Sequence, residues 1–115
     1  IFKLGLNFNV GGAGMHLSSV QRQKLALARS VLKHPDLLIA NDPLNALDTR
    51  SQQEILNNMK RLFAGRGLIW VVGQAALAKG FDKVLIIDDG KVVEEGSFDL
   101  LAQDGARFAH MLAAC

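Results

Sequence analysis

Short apolar runs alternate with amphipathic helical stretches along this chain, and that alternation narrows the possible folds more than any other feature. Residues 37–40 and 68–72 are brief and apolar, as buried strands of a parallel sheet are. Between them Ile55, Leu56, Met59, Leu62 and Phe63 recur at helical spacing and form one stripe. A third strand is expected over residues 83–87. Asp89-Gly90 is a tight-turn dipeptide, and residues 91–94 return as a hairpin partner. The tail, residues 98–114, reads as helix with Leu100, Leu101, Phe108, Met111 and Leu112 inward. Helix alternating with apolar strand means an α/β sheet. There is no internal repeat and no low-complexity linker.

Local signals place the helix ends. A first helix is expected over residues 19–33, with Leu25, Ala28 and Leu32 as its apolar face. Ser18 and Gln21 have the spacing of a capping box, in which each side chain bonds the other residue's backbone N–H. Pro35 stops this helix, because the residue before proline avoids the helical region. A second helix starts near Thr49, where Thr49 and Gln52 repeat the box-like spacing and Asp48 is itself a good cap. Gly65 and Gly67 end it. Residues 1–16, with Gly11, Gly12 and Gly14 close together, read as a loop. No clear strand precedes Gly12-Ala13-Gly14, so a dinucleotide-binding fingerprint is a poor reading of it.

The bulk numbers bound the class. A chain of 115 residues is one domain at most, and 50% apolar content is enough for a core. A net charge of +2 without a basic block gives no support for nucleic-acid binding. A lone Cys115 excludes an internal disulfide framework and fits a reducing compartment. No apolar run reaches membrane-spanning length. The chain opens at Ile1 with neither initiator Met nor secretory signal, which leads to the expectation of a segment of a longer cytosolic polypeptide. His16, His34 and His110 lack metal-ligand spacing and are expected to face solvent or to pack.

Three segments carry chemistry when taken together. The first runs Leu17-Ser18-Ser19-Val20-Gln21-Arg22-Gln23-Lys24-Leu25-Ala26-Leu27-Ala28-Arg29. The second is Leu37-Leu38-Ile39-Ala40-Asn41-Asp42-Pro43, closely followed by Asn45-Ala46-Leu47-Asp48. The third is Val92-Val93-Glu94-Glu95-Gly96-Ser97-Phe98. Ser18 alone would be an ordinary helix cap, and Asn41-Asp42-Pro43 alone an ordinary turn. In this order and spacing they resemble the signature helix, Walker B strand, D-loop and "EEG" segment of exporter-type ABC ATPases. The resemblance covers the chain from about Gly5 to Met111.

The resemblance implies a fold: part of a P-loop NTPase (RecA-like, ABC ATPase) parallel sheet flanked by helices, with a C-terminal β-hairpin and helix. Residues 1–34 would hold the loop and signature helix, and residues 35–115 the Walker B, D-loop, H-loop and C-terminal region. It also implies site residues. Ser18, Ser19, Val20 and Gln21 would face the γ-phosphate of ATP held by a second nucleotide-binding domain, where free backbone N–H groups favour an anion. Ser19 and Val20 replace two glycines, and Val20 is expected to crowd the phosphate's approach to bare backbone. Asn41 takes the place of the aspartate that helps hold Mg2+, and a neutral amide is a poorer partner for a hard cation. Asp42 stands for the glutamate that polarises the attacking water, one methylene short. Gln74, after the strand ending in Val72-Gly73, takes the place of a histidine that bonds the γ-phosphate. Asp48 would lie at the dimer contact. Gly12 and Ala13 sit where exporters commonly have an acidic and a basic residue facing the coupling helices of the transmembrane domain.

No Gly-x-x-x-x-Gly-Lys-Ser/Thr segment occurs in these residues, so no backbone nest or lysine for the β- and γ-phosphates is present. The expectation is a domain portion that uses ATP and Mg2+ only within a complete domain, at the cytoplasmic face of a membrane, coupling ATP binding or hydrolysis to export. The alternative is an ABC-derived regulatory or interaction module with little or no ATP turnover. An ABC ATPase of DNA repair is disfavoured by the exporter-like tail and the lack of basic patches. Apolar strands without a partner also lead to the expectation that the chain associates with itself or rearranges, the strands at 68–72 and 83–87 pairing directly or a second copy filling the gap between them.

Overall fold

Helix and strand alternate in the computed structural model, which describes residues 5–104 and 106–114. The order is α1 (Ser19–Leu32), β1 (Leu37–Asn41), α2 (Thr49–Leu62), β2 (Gly67–Val71), β3 (Val84–Asp88), β4 (Lys91–Gly96), α3 (Phe98–Asp104) and α4 (Ala106–Ala113). Short 3-10 turns occupy Gly12–Gly14 and Ala75–Ala78. Strands β1 and β2 form a small parallel sheet, and β3 and β4 a separate antiparallel one. The chain divides into two compact units after Trp70. Cys115 lies outside the described residues.

In the first unit Leu27, Leu44, Leu47, Met59 and Phe63 form the core, with Val20, Val31, Leu38, Ile55, Leu68 and Trp70 packed on it. The inward face of α1 is therefore Val20, Leu27 and Val31, not the expected Leu25, Ala28 and Leu32. Ala28 is exposed, and Leu32 is 73% exposed. The stripe is rotated: Leu27 joins Leu44, Leu47, Met59 and Phe63 in one cluster, and Val20 and Val31 pack against it. On α2, Leu56, Met59 and Phe63 are buried as expected, while Leu62 lies on the open side. Pro35 acts as predicted: His34 before it takes a left-handed φ of 50°, and α1 cannot continue. Gly65 follows the end of α2, whereas Gly67 already begins β2. Arg66 ties this corner, donating to the carbonyls of Pro35 (3.1 Å) and Leu62 (2.7 Å) beside the Phe63 ring.

The expectation of fully buried strands fails in part. In β1 Leu38 and Ala40 turn to the core, but Leu37 and Ile39 are 49% and 67% exposed. In β2 Leu68 and Trp70 turn inward and Ile69 is 52% exposed. One face of this sheet is thus apolar and open. Both faces of a parallel sheet are normally covered, which is why the sequence reads as a continuous apolar run.

The second unit packs Ala75, Ala78, Val84, Ile86, Leu101 and Phe108 together. Phe98 meets Phe108 edge to face at 5.4 Å and 82°. Asp89 and Gly90 have φ of 50° and 73°, the paired positive values of a type I′ hairpin turn. Val93 is the extra residue of a β-bulge, since Ile86 pairs with Glu94 and Ile87 with Val92. The expected tail helix is realised as α3 and α4. Leu101 and Phe108 are buried, but Leu100 and Met111 are exposed.

Glu94 closes the start of α4. Its carboxylate accepts from the backbone N–H groups of Arg107 (2.9 Å) and Phe108 (2.8 Å), while the Arg107 guanidinium pairs with Asp88. The carboxylate thereby satisfies two helix-end amides that would otherwise be unpaired, and these are its donors. They also hold the Glu94 carboxyl below its ordinary value of 4.5. A depressed folded value means a stabilisation present above pH 4.5 and lost as pH falls through the folded value. The unfolding midpoint of the chain is therefore expected to drop on acidification below that point, and Glu94→Gln should flatten this part of the profile. An equally steep acid limb in the variant would contradict the assignment.

Candidate functional site

The residues singled out by the sequence converge, in the first unit, on the start of α1 and the turn between β1 and α2. At α1 the expected capping box is present. The Gln21 N–H donates to Ser18 Oγ (3.1 Å), and the Ser18 N–H donates to Gln21 Oε1 (2.9 Å). Ser18 Oγ uses a lone pair here and keeps its own proton to donate. Of the first-turn amides, Gln21 is thereby satisfied, while Ser19 and Val20 occupy the positions that an α-helix leaves unpaired. The Val20 side chain is half-buried and packs on the core. Ser19 is the exposed residue of the pair, and its Oγ accepts from Arg22 Nη2 at 3.2 Å.

Arg22 fixes the loop that leads in. Its Nη1 donates to the carbonyls of Leu17 (3.1 Å) and Gly14 (3.4 Å). A Cβ at Gly14 would lie 3.2 Å from Arg22 Cδ, and φ there is +72°, so two independent reasons favour glycine. Neither contact is visible in the sequence, where the glycines signalled only a loop. His16 is exposed, with Nδ1 3.0 Å from the Asn9 carbonyl; His34 and His110 are also exposed. Among the described residues no group of three or more His, Cys, Asp and Glu is placed to hold a metal ion.

Asn41 is the last residue of β1 and exposed, and Asp42 follows it half-buried. Asp42 has a left-handed φ of 44°, a conformation that Asp tolerates better than most residues. Pro43 comes next, and Leu44 is wholly buried, so the turn is anchored immediately beyond the polar pair.

Asp48 caps α2, accepting from the Ser51 N–H (3.1 Å) and the Ser51 hydroxyl (2.6 Å). These bonds, the hydroxyl first, lower its carboxyl from the ordinary value of 3.8. The expected Thr49–Gln52 box is not formed, because Gln52 instead donates to the Leu47 carbonyl at 2.9 Å from a buried position. Asp48, with its shorter reach, takes the cap. Sequence reasoning also missed the role of Gln23. Its Nε2 donates to Asn45 Oδ1 (2.7 Å), and its Oε1 accepts from the Ala46 N–H (2.9 Å). Gln74 lies in the second unit, in extended conformation just before the Ala75–Ala78 turn.

The start of α1 is thus a capped helix N-terminus, and the turn after β1 carries a carboxylate at a strand's C-terminal end. The comparisons carry this further. The chain is 38% identical over 107 residues to the ATP-dependent lipid A-core flippase of Burkholderia orbicola, covering 93% of this chain and 18% of that protein. It is 36% identical over 110 residues to an ATM1-type heavy metal exporter of Novosphingobium aromaticivorans, covering 95% of this chain and 18% of that one. The solved structure of a bacterial Atm1-family ABC exporter with ATP bound matches 98% of the chain and 20% of its own, with a TM-score of 0.86 and 34% identity. No protein-family model matches. This chain belongs to the ABC exporters and is a partial segment of one. It spans about a fifth of the length of the relatives that it matches.

Proposed function

We propose that the chain is the C-terminal portion of the nucleotide-binding domain of an ABC exporter, coupling ATP binding to movement of a substrate across a membrane, with slow turnover at its own site. The observation that carries this is the start of α1. Ser18 is fixed by its capping box with a proton left to donate, beside the first-turn amides of Ser19 and Val20. Such a group suits the γ-phosphate of ATP presented by a second nucleotide-binding domain. The partners proposed are that second domain and a transmembrane domain, and the location is the cytoplasmic face. No helix among the described residues is long and apolar enough to cross a membrane.

ATP and Mg2+ would be used in the complete domain. There Asn41 would lie beside Mg2+ and Asp42 beside the attacking water, with Gln74 at the γ-phosphate and Asp48 at the domain–domain contact. Asn41, Asp42 and Gln74 are the specific observation favouring the second reading, an ABC-derived regulatory module that binds nucleotide but scarcely hydrolyses it. The amide at Asn41 and the amide at Gln74 supply no charge, and Asp42 falls short of a longer carboxylate's reach.

A chimera tests the reading. This chain replaces the matching 107 residues of the Burkholderia orbicola flippase. The chimera is expected to take up a photoreactive ATP analogue in the membrane as the parent flippase does. The chain alone, without a phosphate nest, is expected to take up none. A folded chimera that does not label, or a free chain that labels at micromolar analogue, would overturn it.

A further inference from the structure

Gln23 sits on the second turn of α1, and Asn45 and Ala46 lie on the turn before α2, more than twenty residues away in sequence. The Gln23 amide engages both at once, its NH2 donating to Asn45 Oδ1 at 2.7 Å and its carbonyl accepting the Ala46 N–H at 2.9 Å. A primary amide is the side chain that can donate and accept in one plane, so this is a two-point clamp rather than a chance contact. Neither of these bonds belongs to a helix or strand ladder. The Ala46 N–H belongs to a turn and would otherwise have only water. Below it, Leu44 and Leu47 enter the core beside Leu27 of α1. The turn is thus held to α1 by apolar contacts on the inside and by Gln23 on the outside.

We propose that Gln23 is a positioning residue that locks the Asn45–Asp48 turn to helix α1, so that the two move as one body. The consequence for function rests on the reading above. A phosphate engaged at the start of α1 and a partner domain touching Asp48 would then be sensed by a single rigid piece. The clamp itself does not depend on that reading.

The test is amide hydrogen exchange on the chain, followed at Ala46, with the Ser51 amide under its Asp48 cap as an internal control. Gln23→Ala removes both bonds and should speed exchange at Ala46 at least about tenfold, with Ser51 unchanged. Gln23→Glu keeps the acceptor for Ala46, and Asn45 can turn its own amide to donate to the new carboxylate; protection should persist. Asn45→Asp keeps an acceptor for Gln23, and protection should again persist. The double variant Gln23→Glu/Asn45→Asp sets two carboxylates against each other with no proton to share, and protection at Ala46 should collapse although each single change is tolerated. That non-additive pattern is not produced by a general loosening of the fold. If Gln23→Ala leaves Ala46 as protected as before, or if the double variant is no worse than the sum of the singles, the clamp does not position the turn. Should the alanine variant fail to fold, the cycle of polar variants decides alone. A clamp that passes while the chimera fails to bind ATP would overturn the nucleotide reading and leave Gln23's role standing.

Discussion

Restoring Asn41→Asp, Asp42→Glu and Gln74→His together in the flippase chimera is expected to raise single-turnover ATP hydrolysis by at least about 100-fold, the scale on which positioned acid–base and charge-stabilising groups act. Each change supplies something the present residue lacks. Asp at 41 offers a charged oxygen to a hard cation, where an amide offers a neutral one. Glu at 42 extends the carboxylate by one methylene toward the water. His at 74 can carry positive charge toward a phosphate. The middle change acts at a backbone with a φ of 44°, where a longer side chain fits less readily than Asp, at a cost of order 1 kcal/mol. The triple variant should therefore be somewhat less stable and much faster. Hydrolysis unchanged by the triple substitution, with nucleotide still bound, would show that these residues do not serve the site.

The chain by itself is expected to self-associate. Leu37, Ile39 and Ile69 form an open apolar face on one sheet, and Leu85, Ile87 and Val92 do so on the hairpin. Each two-stranded sheet also leaves strand edges that can pair with another chain. Burying one such side chain is worth about 1.5–3 kcal/mol. Ile39→Lys and Ile69→Lys combined should thus weaken association by well over tenfold, since 1.4 kcal/mol is a factor of ten. Sedimentation equilibrium over a concentration series reads this directly. A wild-type chain that stays monomeric at every concentration, or a double variant that associates as strongly, would refute it.

Much of the fold was legible along the chain because it is set by local chemistry. Ser18 with Gln21, Asp48 before α2, Pro35 after α1 and Asp89-Gly90 between β3 and β4 each act within a few residues. Each appears in the structure where its own geometry requires. The segment order that marks an ABC exporter is likewise a property of sequence alone, and the relatives agree with it.

What the sequence could not supply depends on which surfaces meet. Apolar spacing on α1 allowed more than one inward face, and the core cluster with Leu44, Leu47, Met59 and Phe63 takes Val20, Leu27 and Val31. The same packing left Val20 half-buried and its neighbour Ser19 exposed. Gln52 looked like a cap residue, but its longer side chain was drawn to the Leu47 carbonyl, and Asp48 took the cap. Gln23 was one polar residue among several on its helix until folding brought Asn45 and Ala46 within hydrogen-bond reach. Sequence determined the type and order of most elements, several of their caps and the family resemblance, since those follow from bonds and propensities inside short segments. Tertiary structure alone decided which faces are buried and which side chains hold the turn, because both depend on partners that are distant along the chain.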